Sequence, residues 1–240
     1  MSDTPKHSAP KHIAEDEMVP TAWPGAFGLY KYSRNAMMVN IGTYVLVFLL
    51  SLVVGAIPSL VDQKSSAYLM LNIATNIVSV WFGAALIIVV LRSVAEHKIS
   101  LNDSLQQGIS MFGKYFLQSL LIGLIAFGSL LCFIIPAFII LPRLSLAQYF
   151  LFDQNMGITE SIKASWEATR GHISKVWGII GANIVMALLL ITIIGIPISI
   201  YLLTMYSAAN AILYFWIIKH GKATTVTAPV APDAPISPIK

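Results

Sequence analysis

Residues 115–152 read YFLQSLLIGLIAFGSLLCFIIPAFIILPRLSLAQYFLF, 38 residues carrying a single charge, Arg143. As one straight helix they would run roughly 57 Å at about 1.5 Å per residue, nearly twice the ~30 Å of a bilayer hydrocarbon core. The stretch must therefore bend back on itself. Pro136 marks the place, because proline lacks an amide donor and its ring crowds the carbonyl one turn before it. Working outward, Met37–Val61 carries no charge over 25 residues and Leu69–Leu91 none over 23, each enough for one crossing. Val176–Ile218 carries none over 43, roughly 65 Å of helix, and is interrupted at Gly195 and Pro197. The expected fold is all-α: a polytopic membrane protein of six transmembrane helices with interfacial amphipathic helices between them. The whole chain agrees, being 57% hydrophobic and 11% charged, where soluble domains are roughly 45–50% apolar and about 25% charged.

Charge placement orients the spans. Lys31 and Arg34 precede span one, Arg92, Lys98 and Lys114 follow span two, Lys163, Arg170 and Lys175 follow span four, and Lys219 and Lys222 close span six. With six spans these all fall on one side, leaving only Lys64, with Arg143 near it, on the other, so the positive-inside rule places both termini in the cytoplasm. The expected location is the bacterial cytoplasmic membrane. Span four, about Ala137 to Phe152, is the shortest and contains Pro142 and Arg143. A five-span arrangement would put Lys163–Lys175 outside, against the charge rule.

Three regions follow: a polar tail at 1–24, a membrane domain at 25–220 and a Pro-rich tail at 221–240. The first has Pro5, Pro10, Pro20 and the acidic cluster Glu15, Asp16, Glu17, a composition expected to stay disordered, and it lacks the pattern of a signal peptide. In the last, Pro229, Pro232, Pro235 and Pro238 recur every third residue. That period aligns them on one edge of a polyproline II helix, either a ligand for a protein partner or a plain linker.

Between spans two and three, Leu101, Leu105, Ile109, Phe112 and Phe116 follow helical spacing, predicting an amphipathic helix over Ser100–Phe116. Ser100 and Asp103 read as its capping box, and Lys114 as a cation near its C-terminal dipole. The pattern recurs before span five, with Ile158, Ile162, Trp166 and Ile173 at matching positions and Glu160 in place of Asp103. A fainter copy begins at Phe27–Ser33. Each unit leads to an Ile-Pro pair, at 57–58, 135–136 and 196–197, so the chain reads as three units of interfacial helix, span, Ile-Pro turn and return span. Lys114, Lys163, Trp166, Arg170 and Lys175 are the candidate interfacial residues, facing anionic lipid headgroups or serving as elbows that pack on the spans.

The apolar runs contain no Asp, Glu or His, the groups that usually build an intramembrane proton relay. Nor do they offer a nucleophile with its base. His7, His12, His97, His172 and His220 show no metal-ligand spacing, and Cys132 is the only cysteine, so no metal, cofactor or disulfide is expected. The net charge of +4 serves membrane orientation better than nucleic acid, which is not an expected partner. Arg143 would cost at least ~2.5–3.5 kcal/mol at mid-bilayer. It either snorkels or bonds carbonyls freed by Pro136 and Pro142, or contacts a lipid phosphate. Asn72 and Asn76 share a helix face one turn apart, as interhelical glue or as the lining of a polar path. Gly178 with Ala182, and Ser207 with Ala211, have small-xxx-small spacing for close helix packing.

The segment from Leu141 to Asp153, followed by Gly157–Gly171, resembles the membrane domain of glycerophosphoryl diester phosphodiesterases and related bacterial integral membrane proteins. The resemblance rests on Arg143 after an Ile-Pro turn, Asp153 about ten residues on, then Ser165, Trp166, Thr169 and Gly171, and extends over most of Phe27–Lys219. It implies a stand-alone membrane module without the catalytic barrel. The expected function is a non-enzymatic membrane protein that engages lipid or scaffolds a partner in envelope integrity. The alternative is a transporter or flippase for a lipid or phosphorylated polar metabolite, with Arg143, Gln148, Asn72 and Asn76 along its path.

Overall fold

The computed structural model describes residues 18–132, 134–191 and 195–220. Among them the regular structure is entirely helical. A short helix α1 (Leu29–Val39) leads into α2 (Ile41–Ala56) and a 3-10 turn at Ile57–Leu60. Helices α3 (Ser66–Val94) and α4 (Leu101–Cys132) follow, then α5 (Ile134–Leu144), α6 (Ala147–Asp153), α7 (Ile158–Ala168), α8 (Ile173–Leu188), α9 (Gly195–Tyr206) and α10 (Ala209–His220). Five stretches are long and apolar enough to cross a membrane: Ile41–Leu60, Ser66–Val94, Leu101–Ser129, Ile173–Ile191 and Gly195–His220.

The expected fourth span is where the structure departs from the sequence. Ala137–Phe152 is divided between α5, of 11 residues, and α6, of 7, about 16 and 10 Å long, so neither alone matches a bilayer core. The break follows from Pro142 in the last turn of α5. Just past it the Ser145 hydroxyl donates to the Pro142 carbonyl at 2.8 Å, diverting the backbone at Ser145–Leu146. Pro136 falls two residues into α5, in its first turn, where a missing N–H costs nothing because no intrahelical acceptor awaits it. Pro197 likewise lies in the first turn of α9, while Pro58 sits in the 3-10 turn that carries α2 on to Leu60. The Ile-Pro pairs at 135–136 and 196–197 thus open an element, whereas the pair at 57–58 closes the outgoing one, as the sequence predicts.

Two further expectations are corrected. Ser100–Phe116 is not a separate amphipathic helix but the first half of the 32-residue α4. No helix breaker separates Phe116 from the apolar run that follows, and Leu101 and Leu105 pack on a cluster of Val47, Phe82 and Ala85 from α2 and α3. Lys114 therefore lies mid-helix, away from any C-terminal dipole. The tail expected over 1–24 also ends early: Val19 is 6% exposed, and Trp23 meets Trp216 edge-on at 5.7 Å. The remaining tail residues, and the Pro-rich stretch from Gly221 on, lie outside the described residues.

Burial is uneven along the helices. In α3 Leu69, Met70 and Ile73 are exposed, while Ile87–Val90 are buried. In the second half of the chain Ile184, Leu188, Ile196 and Ile200 are exposed, while Tyr206 and Ala211–Tyr214 are buried. The largest core cluster joins α1, the end of α3, α6, α8 and α10 through Leu29, Met37, Leu91, Phe150, Ile179 and Leu213. Packing is therefore concentrated at one end of the long helices, and bare aliphatic surface occupies the rest.

Serine and threonine hydroxyls from neighbouring helices close the breaks. The last four carbonyls of a helix lack intrahelical donors. Ser33 of α1 donates to the Met205 carbonyl in the last turn of α9 at 2.6 Å, Ser165 of α7 to that of Arg143 in α5 at 2.6 Å, and Ser199 of α9 to that of Met186 in α8 at 2.6 Å. Asn40, at the α1–α2 break, spans a larger gap. Its amide donates to the His97 carbonyl at 2.8 Å and to Ser93 Oγ at 3.1 Å, and its Oδ1 accepts from Ile99 N at 2.9 Å. Where lipid supplies no hydrophobic drive between helices, such bonds and close packing hold them together.

Candidate functional site

Arg143 sits at the C-terminal turn of α5, and its guanidinium lies 4.6 Å over the Trp166 ring of α7. This groups Arg143 with the helix that bears Lys163, and not with Lys64, the neighbour expected from the sequence. The Arg143 charge is spread against an aromatic face, a contact of about 0.5–2 kcal/mol. Its Nε is buried with no hydrogen-bond partner among the described residues. Thr169 donates to the Ser165 carbonyl at 2.8 Å, and Gly171 turns the chain after α7 with φ +83°. Arg143, Ser165, Trp166, Thr169 and Gly171 thus form one joint between α5, α7 and the start of α8. Asp153 of the same quoted pattern lies apart, accepting from the Tyr214 hydroxyl at 2.6 Å.

The face of α7 that is buried is Ser161, Ala164 and Ser165. Ile158, Ile162 and Trp166 are only half-buried. Small side chains win the inner position because they let α7 approach α4 and α5 closely, and their hydroxyls can serve the exposed carbonyls and amides there. The capping boxes are present in part: Ser100 Oγ accepts from Asp103 N at 3.2 Å but gives its proton to the Asp103 carboxylate, and Glu160 accepts from Gly157 N at 3.2 Å.

The four residues expected along a polar path are not brought together. Asn72 and Asn76 line a cleft of about 280 Å³ with Ser59, Gln63, Tyr68 and Ser79. They do share a face, but Asn76 donates to the carbonyl and side-chain oxygens of Asn72 at 2.7 and 2.9 Å, bonding along α3 and not across to another helix. Gln148 lines a second cleft, of about 250 Å³, with Tyr115, Gln118, Ser119, Ser145 and Asn210. Gln118 and Asn210 were not singled out in the sequence. The available signal was an amide within a long apolar run, and it takes the tertiary fold to show that both converge on one space.

The interfacial candidates divide too. Lys163 and Arg170 are exposed. Lys114 donates to Asn155 Oδ1 at 2.8 Å, with Asn155 held at φ 48°. Lys175 lies 3.7 Å over Trp216 and 5.5 Å from Trp23, and 3.3 Å from His172 Nδ1. Burial first, then the Lys175 ammonium, hold the His172 imidazole below its ordinary pKa. Of the small-xxx-small pairs, Gly178 faces Ala26, which precedes α1, Ala182 and Ala211 are buried, and Ser207 is half-buried.

Among the described residues no group of three or more His, Cys, Asp or Glu is placed to hold a metal ion. These features define an all-helical protein whose long apolar helices are fit to cross a membrane. Comparison with protein-family models, with curated proteins and with solved structures returned no match.

Proposed function

We propose that the chain is a non-enzymatic integral protein of the bacterial cytoplasmic membrane that engages lipid at the inner surface and supports envelope integrity. The observation that carries this reading is the axial asymmetry of the molecule. Bare aliphatic surface covers the helices towards one end, and cations seated on tryptophan, with Lys163 and Arg170 exposed beside them, gather where the helices are packed. Such cations attract anionic headgroups by about 1 kcal/mol each, and tryptophan favours the headgroup level.

In this reading the chain crosses six times in three units, with α5 and α6 together forming the fourth, broken crossing and both termini cytoplasmic. Broken helices are tolerated at membrane depth where protein satisfies the freed backbone, and the bonds from Ser145 to Pro142 and from Ser165 to Arg143 do so here. The likeness to the membrane domain of glycerophosphoryl diester phosphodiesterases fits a module without a catalytic barrel. The test is native mass spectrometry of protein purified in mild detergent. Wild type is expected to retain anionic phospholipid and a Lys163, Arg170, Lys175 neutral triple variant to lose it; equal retention would reject the surface-lipid reading. A transporter or flippase is the second reading, favoured by the polar cleft at Gln148. It predicts saturable flux in liposomes that falls in Gln148→Leu.

A further inference from the structure

The cleft between α4, the α5–α6 break and α10 holds polar atoms that the fold leaves unused. Gln118 is 1% exposed, and among the described residues its Oε1 has no partner; Asn210 Oδ1 is buried and also without one. The Gln118 amide is oriented by proton bookkeeping. Ser161 Oγ gives its proton to the Ile158 carbonyl at 2.8 Å, so it can only accept from Gln118, which places Nε2 on Ser161 at 2.7 Å and turns Oε1 away as an acceptor. A buried acceptor without a donor loses the hydration it had in water, and the two residues that carry such acceptors line one cleft of about 250 Å³ with Ser119, Ser145 and Gln148. That is room for several water-sized groups.

The lining selects the ligand. Unpartnered carbonyl oxygens call for hydrogen-bond donors, which excludes a bare phosphate or carboxylate. None of the described lining residues is charged, so an ammonium or metal cation would be buried without a counter-charge. What remains is a neutral group that both donates and accepts at several points. We infer that the Gln118–Asn210 cleft binds a neutral polyol, either a small free polyol or the polyol headgroup of a lipid. The inference stands independently of surface-lipid engagement, since it uses none of Lys163, Arg170 or Lys175.

Two arms separate the sources. Saturation-transfer NMR with glycerol and with myo-inositol, on detergent-solubilised full-length protein, reads free polyol. Native mass spectrometry from nanodiscs of mixed phosphatidylglycerol and phosphatidylcholine reads the headgroup. Wild type is expected to give transfer to a polyol or selective retention of phosphatidylglycerol, and Gln118→Leu/Asn210→Leu to bind roughly ten- to a hundredfold more weakly, the loss of two hydrogen bonds. Should that pair not fold, Gln148→Leu on the facing wall replaces it. Signals of equal strength in wild type and variant, or none in wild type by either arm, would overturn the site and leave it a pocket of water. Retention lost only in the Lys163, Arg170, Lys175 triple variant would support the surface reading while rejecting this one.

Discussion

At the scale of single residues, the chain is held by hydroxyls that cap the carbonyls of other helices. Ser165 is the clearest case, because one side chain joins α7 to the end of α5 at 2.6 Å while its own carbonyl accepts from Thr169. Ser165→Ala leaves the Arg143 carbonyl without its donor, an omission that costs about 1–3 kcal/mol at a buried acceptor. The variant is expected to unfold earlier in a detergent titration, and an unchanged midpoint would mean another donor takes over. Gly171 holds φ +83°, which a Cβ opposes by about 1–2 kcal/mol. Gly171→Ala should lower stability by that order, measured in the same titration, and Gly171→Asn by less. His172 supplies a pH dependence. Its folded pKa is depressed, so as pH falls below about 6.5 the unfolded chain takes up the proton first. Stability is full above that pH and declines as pH drops towards the folded value; His172→Gln should remove that part of the decline.

Elements depend on how closely they approach, and this is where sequence periodicity reached its limit. The apolar spacing in α4 and α7 correctly marked helices, because the 3.6-residue period is a local property of the chain. It did not reach what packs inside α7, where Ser161, Ala164 and Ser165 are buried ahead of the isoleucines. Hydrophobicity ranks residues by transfer from water, whereas an interface beside two other helices also ranks them by volume and by the carbonyls within reach. Gly108 shows the same constraint between α3 and α4. A Cβ there would come within 3.2 Å of Trp81 Nε1 and 3.3 Å of the Ala85 backbone nitrogen, beside the bond from Trp81 Nε1 to the Leu105 carbonyl at 3.1 Å. Gly108→Ala is expected to cost about 1–3 kcal/mol by overpacking and to shift tryptophan fluorescence; neither change would mean that α4 slides freely.

At the scale of the whole molecule, the number of crossings decides which side the loops face. Six crossings put residue 163 on the same side as the N-terminus, and five put it opposite. In a Cys132→Ser background, Lys163→Cys should react with a membrane-impermeant maleimide in inverted vesicles and stay protected in intact cells. The opposite pattern would establish five crossings and move the C-terminus outside. Run length and charge counting make the long helices legible in this sequence, because a hydrocarbon layer imposes a fixed thickness and penalises each buried charge. The capping pairs were legible too, being short-range. What the sequence could not determine was the break between α5 and α6, the stacking of Arg143 on Trp166, and the meeting of Gln118, Gln148 and Asn210 in one cleft. Those depend on residues far apart in the chain, and only tertiary packing decides which free carbonyl meets which hydroxyl and which amide is left without a partner.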